Sequence, residues 1–115
     1  MSFSVPHRRI ASNLFWSPAG IVRHPLVEID SRGRVLSVVS CPDPDRLPFV
    51  EFRSGLFVPD FPVGFRAAFA ALPADTPLSE SLPAVITPGR GIPVLISGLD
   101  YAVLRLLPSA RIEKV

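Results

Sequence analysis

The chain has 115 residues, of which 48% are hydrophobic, and its formal net charge is +2. This length and apolar content are sufficient for one domain with a hydrophobic core of its own, and they exclude a disordered chain. The small charge is scattered along the sequence, so it gives no basic stripe of the kind that binds nucleic acids.

The first half of the chain predicts short strands. Residues 8–16 alternate loosely between polar and apolar side chains and end at a turn over residues 17–20, so they predict a first strand. Two apolar runs, 25–30 and 35–40, flank a polar loop in which Gly33 supplies the positive φ of a turn. Together they predict a β-hairpin.

The second half predicts one helix between further strands. Residues 49–53 and 56–58 flank Ser54-Gly55 and predict a second short hairpin or a bulge. Asp60 is a candidate N-cap for a helix near residues 61–72, where apolar residues recur at helical spacing. The Pro-rich residues that follow predict a connector. A single domain over residues 1–115 is expected, with N-terminal strands in 8–60, a helix and linker in 61–83, and C-terminal strands in 84–115.

Three patterns stand in a fixed order along the chain. They are Ile29-Asp30 with Gly33-Arg34-Val35 and Val38; Gly55 with Val58-Pro59 and Phe61; and Pro88-Gly89 with Val94-Leu95-Ile96. Their order resembles that of the amidohydrolase superfamily of metal-dependent hydrolases. In that family a metal-binding (β/α)₈ barrel is joined to a small β-sandwich built from both chain ends. The resemblance covers most of residues 8–67 and 84–115.

The resemblance ends where the family's metal site would begin. Phe65 and Ala67 stand at the positions of two metal-binding histidines, Asp60 replaces a glycine, and Ile92-Pro93 replace an Ala-Asp pair. Only about twenty residues separate the matching parts, where the family places a barrel of some 250 residues. The implied fold is mainly β: a small β-sandwich or partly open barrel built from both chain ends, with one short helix around residues 61–72.

The residue types of catalytic sites are sparse. Metal-assisted hydrolysis needs several converging ligands, and His7 and His24 do not have the spacing of a ligand pair. Cys41 has no neighbouring basic residue or histidine that would activate a thiolate, and Asp43 and Asp45 are expected to stabilise a turn. No enzyme activity, catalytic residue, metal or cofactor is therefore predicted.

The aromatic residues give the sharpest functional expectation. Without a barrel, the face of the sandwich that the family covers would be a large apolar surface, and such surfaces favour association. Either residues 62–72 cover this face, or the face binds a second copy or a protein partner. The candidate interaction residues are Trp16, Phe61, Phe65 and Phe69.

The prediction is a non-catalytic structural or protein-interaction module, as a homodimer or with a protein partner, that binds neither nucleic acid nor membrane. A cytoplasmic location is expected, because no apolar run is typical of a signal peptide or a membrane helix and Cys41 has no disulfide partner. Three alternatives stay open: an accessory or relic of a complete amidohydrolase acting on C–N bonds, a hydrolase in its own right, and a module that binds a small ligand in a cleft.

Overall fold

The computed structural model describes residues 8–40 and 50–115. Within these ranges the elements are β1 (Arg8–Ala11), β2 (Leu14–Ser17), β3 (Gly20–Arg23), β4 (Pro25–Ile29), β5 (Val35–Ser40), β6 (Val50–Phe52), β7 (Leu56–Phe61), α1 (Phe65–Ala70), α2 (Leu78–Val85), β8 (Ile92–Asp100) and β9 (Arg105–Lys114). The fold is mainly β, as the sequence predicts.

The strands form two sheets that are not closed into a barrel. Sheet I has the strand order β5-β4-β1-β6, and sheet II has the order β3-β2-β7-β8-β9. Strands from both halves of the chain meet in sheet II, where β7 pairs antiparallel with β8. The expected sandwich built from both chain ends is confirmed in this respect.

Three chain segments pass from one sheet to the other. The predicted first strand bends at Ser12-Asn13, so β1 lies in sheet I and β2 in sheet II. The segment β3–β4 changes sheets at His24, which has a φ of 49°. The segment β6–β7 changes sheets at residues 53–55, beside the first bend.

The expectation of a hairpin at Ser54-Gly55 is wrong. Strand β6 runs parallel to β1 and β7 runs parallel to β2, so β6 and β7 lie in different sheets. The physical reason is a pair of hydrogen bonds between the two bends. The amide of Gly55 donates to Oδ1 of Asn13 at 2.8 Å, and the amide of Leu14 donates to the carbonyl of Gly55 at 3.2 Å.

The predicted hairpin of β4 and β5 is confirmed, with Leu26 opposite Val39 and Val27 opposite Val38. Gly33 has a φ of 81°, the left-handed conformation that the turn requires. One carboxylate oxygen of Asp30 accepts the amide N–H groups of Arg32 at 2.8 Å and Arg34 at 2.9 Å. These bonds lower the pKa of Asp30 below its usual value of 3.8, with the bond from Arg34 making the largest contribution.

This hairpin loop gives a pH prediction. Because the pKa of Asp30 is lower in the folded chain, its carboxylate stabilises the fold above pH 3.8, and this stabilisation is lost as the pH falls through the lowered pKa. The variant Asp30→Asn should be less stable than the wild type at about pH 7, and the difference should be smaller at about pH 2.5. Urea unfolding at both pH values measures this, and an equal difference at both would contradict it.

The core between the sheets is formed by the inward faces of both. Its buried side chains are Ile10, Phe15, Val27, Ile29, Phe57 and Leu95. The rings of Phe15 and Phe57, on the parallel strands β2 and β7, stack with centroids 5.4 Å apart. Aromatic pairs at this distance add to the stabilisation that burial provides.

The other face of sheet II is covered by the helices, so the chain forms three layers. Leu72, Leu78 and Leu82 are buried against side chains of sheet II such as Val58 and Ile96. The amide of Leu78 donates to the carbonyl of Leu104 at 2.8 Å, which ties the start of α2 to the turn before β9.

The helical region differs from the prediction in two ways. Helix α1 spans Phe65–Ala70, inside the predicted range, but Asp60 does not cap it. Asp60 lies within β7, one residue before its end, and the N-cap is Gly64, which has no side chain to form a capping bond. Helix α2 lies mostly in the predicted connector. It forms despite the internal Pro83 because Leu78 and Leu82, four residues apart, bury one face.

Candidate functional site

The chain leaves sheet II at the end of β7 and returns at the start of β8. Phe61 and Ile92 are opposite each other in the ladder of these two strands. Residues 62–91 therefore start and finish at adjacent positions of one sheet. The helices belong to this excursion, and the strands of the sandwich lie outside it.

Asp60 has an unusual backbone conformation at this junction, with a φ of 57°. Left-handed φ values are uncommon for residues with a Cβ atom, and aspartate and asparagine tolerate them better than most others. The amidohydrolase pattern has a glycine at this position, and glycine adopts such a φ without steric cost. The φ of Asp60 is therefore one that a glycine at this position could also adopt.

Gly91 lies against the backbone of the outgoing strand. A Cβ atom at this position would come within 2.2 Å of the carbonyl carbon of Asp60 and within 2.4 Å of the carbonyl oxygen of Phe61. Only a residue without a side chain fits here, since backbone atoms cannot move aside as a flexible side chain can. Gly91 thus sets how closely the returning chain approaches the departing one.

A groove lies at this junction, between the β4–β5 loop, the end of β7 and the turn before β8. We name it the exit groove; its volume is about 740 Å³. Its lining residues are Arg32, Gly33, Arg34, Val35, Pro59, Asp60, Val63, Gly89, Arg90, Gly91 and Pro93. Residues from all three patterns that carry the amidohydrolase resemblance are in this lining.

The four predicted interaction residues lie in two different environments. Trp16 is 5% exposed and Phe61 is 0% exposed, and both are part of the core under the helices. Phe65 and Phe69, on α1, are half-buried and pack against that core. Val63, just before α1, is 71% exposed. The apolar side chains that reach the surface here are Val63, Phe65 and Phe69, which we name the α1 patch.

The helices thus cover the outer apolar face of sheet II. This corresponds to the first of the two alternatives predicted from the sequence, in which the chain itself covers the face. The cover is wider than residues 62–72, because α2 contributes the buried Leu78 and Leu82. The guanidinium group of Arg66 lies 5.6 Å from the centroid of the Phe65 ring, which leaves a charged group over part of the α1 patch.

Five residues were considered as metal ligands or catalytic groups and predicted to be neither, and only one of them lies within the described residues. His24 is exposed, at the passage from β3 to β4, while His7, Cys41, Asp43 and Asp45 lie outside the described ranges. Among residues 8–40 and 50–115, no three His, Cys, Asp or Glu side chains are close enough to hold a metal ion together.

A second groove, of about 510 Å³, lies beside the bend of β1 and β2. It is lined by Asn13, Leu14, Ile21, Arg23, Tyr101, Ala102 and Leu104. Burial raises the pKa of the Tyr101 phenol above its usual value of 10.0, so the hydroxyl is neutral at physiological pH. This groove has one charged side chain, against four in the exit groove.

The arginines of the exit groove were missed by sequence reasoning, which treated the basic residues as scattered. Arg32 and Arg34 are close in sequence and Arg90 is far from both, yet all three line one groove. A signal was present, because each is next to a glycine: Gly33 for the first two, and Gly89 and Gly91 for the third.

Comparison with protein-family models, curated proteins and solved structures gave no match for this chain. None of the helices within the described residues has the length and apolar character needed to cross a membrane. The amidohydrolase resemblance accordingly depends on the three sequence patterns alone.

Proposed function

We propose that this chain is a non-catalytic protein-interaction module with the architecture of an amidohydrolase sandwich that lacks its barrel, and that it works as a homodimer in the cytosol. The observation that carries the proposal is the pairing of Phe61 with Ile92. The single cysteine, which has no internal disulfide partner, is consistent with a reducing compartment.

The Phe61–Ile92 pair holds together the two points where the chain leaves and re-enters sheet II. Opposite residues of an antiparallel ladder have Cα atoms about 4.5 to 5.5 Å apart, so segments of very different length can join them. For a flexible segment, each doubling of length costs only about 0.6 kcal/mol of closure entropy. In amidohydrolases a barrel is inserted between two parts of such a sandwich, and here residues 62–91 close the gap.

Two further observations support the amidohydrolase architecture. The three sequence patterns, separated along the chain, meet at the exit groove through Gly33, Pro59 and Gly89. Asp60 has a left-handed φ at the position where the family pattern has a glycine.

The non-catalytic part of the proposal is supported by what replaces the family's metal-binding histidines. Phe65 packs against the core under the helices, and Ala67 lies exposed on the same helix. Neither side chain can coordinate a metal ion. Residues 62–91 contain no histidine and no cysteine that would supply a ligand in their place.

The dimer part of the proposal assigns the α1 patch to a contact with a second copy. Val63 is the most exposed large hydrophobic residue among those described, and it lies two residues before Phe65, the first residue of the helix that also carries Phe69. Exposed apolar side chains that are close together favour association more than the same residues scattered over a surface.

The oligomeric state tests this assignment. We expect the wild type to be a dimer by sedimentation equilibrium, and the variant Val63→Ser and the double variant Phe65→Asp, Phe69→Asp to dissociate at least about tenfold more readily. Val63→Ser leaves the core untouched, so its effect does not depend on how well the double variant folds. The matched control is Ala67→Asp with Ala70→Asp, which places two charges at exposed positions of the same helix.

A wild type that is monomeric over the whole accessible concentration range would reject the dimer. Equal weakening by the phenylalanine and alanine double variants, with no effect of Val63→Ser, would reject the α1 patch as its interface. Zinc at a 1:1 ratio in the purified protein, measured by plasma emission spectroscopy, would contradict the non-catalytic proposal.

A further inference from the structure

We propose that the exit groove is a binding site for a small phosphate-bearing anion with more than one negative charge, held by Arg32, Arg34 and Arg90. The groove volume of about 740 Å³ lies within the roughly 300 to 1,000 Å³ that is typical of small-ligand sites. The inference does not depend on the dimer or on the amidohydrolase resemblance.

The charges of the lining favour an anion. Three arginines line the groove, and Asp60 is the one acidic residue in the lining. None of the three guanidinium groups forms an ion pair with a carboxylate of the described residues, whereas Arg8 and Arg53 each do. Asp30 interacts with Arg32 and Arg34 through charge, without an ion pair. A concave surface whose charged residues are mostly of one sign attracts ions of the opposite sign.

The wall that carries Arg32 and Arg34 is held in place before any ligand arrives. Asp30 accepts the amides of both arginines through its carboxylate, its carbonyl accepts the amide of Gly33 at 3.1 Å, and its own amide donates to the carbonyl of Arg34 at 3.0 Å. Because these four bonds fix the loop backbone, binding has to order only the two arginine side chains, and this lowers its entropic cost.

The opposite wall is fixed in a similar way. The amide of Arg90 donates to the carbonyl of Thr87 at 3.0 Å, which closes the turn, and Gly91 lies against the backbone of Asp60. The two walls also meet each other, since a Cβ atom on Gly33 would lie 3.2 Å from the ring of Pro93. The arginines therefore project from a frame that cannot spread easily.

Arginine residues in this number favour phosphate over a single carboxylate. Each guanidinium group is a planar fork that donates two parallel hydrogen bonds to a phosphate or a carboxylate. One carboxylate is saturated by one or two such forks, whereas a diphosphate offers several terminal oxygens to three of them. A tricarboxylate has a comparable charge, so the experiment has to separate the two chemistries.

Isothermal titration calorimetry with inorganic pyrophosphate is the first test, with citrate as the second probe at the same pH and ionic strength. We expect saturable 1:1 binding of pyrophosphate and at least about tenfold weaker binding of citrate. Amide chemical-shift changes on adding pyrophosphate should be concentrated at Gly33, Gly89 and Gly91. Absence of saturable pyrophosphate binding, or tighter binding of citrate, would overturn the proposal.

Two kinds of variant locate the site. Arg90→Gln and Arg32→Gln should each weaken pyrophosphate binding about tenfold, as expected for losing one charge-assisted pair. Asp60→Asn should tighten it about threefold, because it removes the one negative charge of the lining and keeps a residue type that tolerates left-handed φ. A gain in affinity cannot come from misfolding.

The matched control is Arg105→Gln, which removes an exposed arginine on β9, away from the groove. It should change the affinity less than about twofold. If Arg105→Gln weakens binding as much as Arg90→Gln, the binding is a general response to net charge. If Asp60→Asn has no effect, the anion does not bind beside Asp60. Either result means that the exit groove is not the site.

Discussion

Replacing Leu82 by alanine is expected to lower the free energy of unfolding by about 2 to 5 kcal/mol, the range measured when a buried leucine is truncated. Leu82 is fully buried, and it packs with Leu78 and Leu72 against the outer face of sheet II. The loss combines the burial of the missing methyl groups with the cavity that they leave. Urea unfolding followed by tryptophan fluorescence measures the change, since Trp16 is part of the same core.

The control for this variant is Ser79→Ala, an exposed position on the same helix. It should change the free energy of unfolding by no more than about 0.5 kcal/mol. If Leu82→Ala also costs less than about 1 kcal/mol, helix α2 does not cover sheet II in solution. In that case the outer face of the sheet would be open to a partner, which is the alternative that the sequence left open.

The second large effect is expected at Gly91, where alanine should destabilise the fold by about 3 kcal/mol, the upper end of the usual range for overpacked positions. The new Cβ atom would meet three backbone atoms of Asp60 and Phe61 within 2.4 Å, so one of the two chain segments has to shift. The shift would open the junction between β7 and β8 and change the shape of the exit groove. Thermal unfolding measures the loss of stability.

Gly64→Ala is the matched substitution. A Cβ atom on Gly64 meets nothing within 4 Å, and its φ of −76° is open to any residue. As a change at a helix N-cap it should cost less than about 1 kcal/mol. Similar losses for both glycine variants would mean that the close approach at Gly91 is absent, and the junction geometry described above would be incorrect.

The parts of the fold that could be predicted are those specified by neighbours in sequence. The β4–β5 hairpin follows from two apolar runs, a polar loop and a glycine at the position of positive φ. The mainly β class follows from the short apolar runs between turns that predict strands in both halves of the chain. In both cases the residues that specify the structure are within a few positions of the element they form.

The parts that could not be predicted depend on contacts between distant residues. The bend at Asn13 is fixed by a hydrogen bond from Gly55, and this bond places β6 and β7 in different sheets. Helix α2 contains Pro83, which argues against a helix locally, and it forms because sheet II offers an apolar face to cover. In both cases tertiary contacts override the structure that the local sequence favours.

The candidate site also has a part that the sequence could predict and a part that depends on contacts between distant residues. The aromatic residues pointed to the region around β7 and α1, but their burial depends on the cover that α2 adds, so Trp16 and Phe61 could not be assigned to the interior from sequence. The exit groove could not be predicted either. Arg32 and Arg90 are far apart in the chain and come together only because β7 pairs with β8 and Gly33 contacts Pro93.

The passage of three chain segments through both sheets has a consequence for how the protein unfolds. The segments β1–β2, β3–β4 and β6–β7 each run from one sheet into the other. Neither sheet can therefore unfold without displacing strands of the other. Subglobal openings are most accessible where an element is joined to the rest by few connections. The two sheets should therefore melt together as one cooperative unit, and the excursion over residues 62–91 is where partial opening can begin.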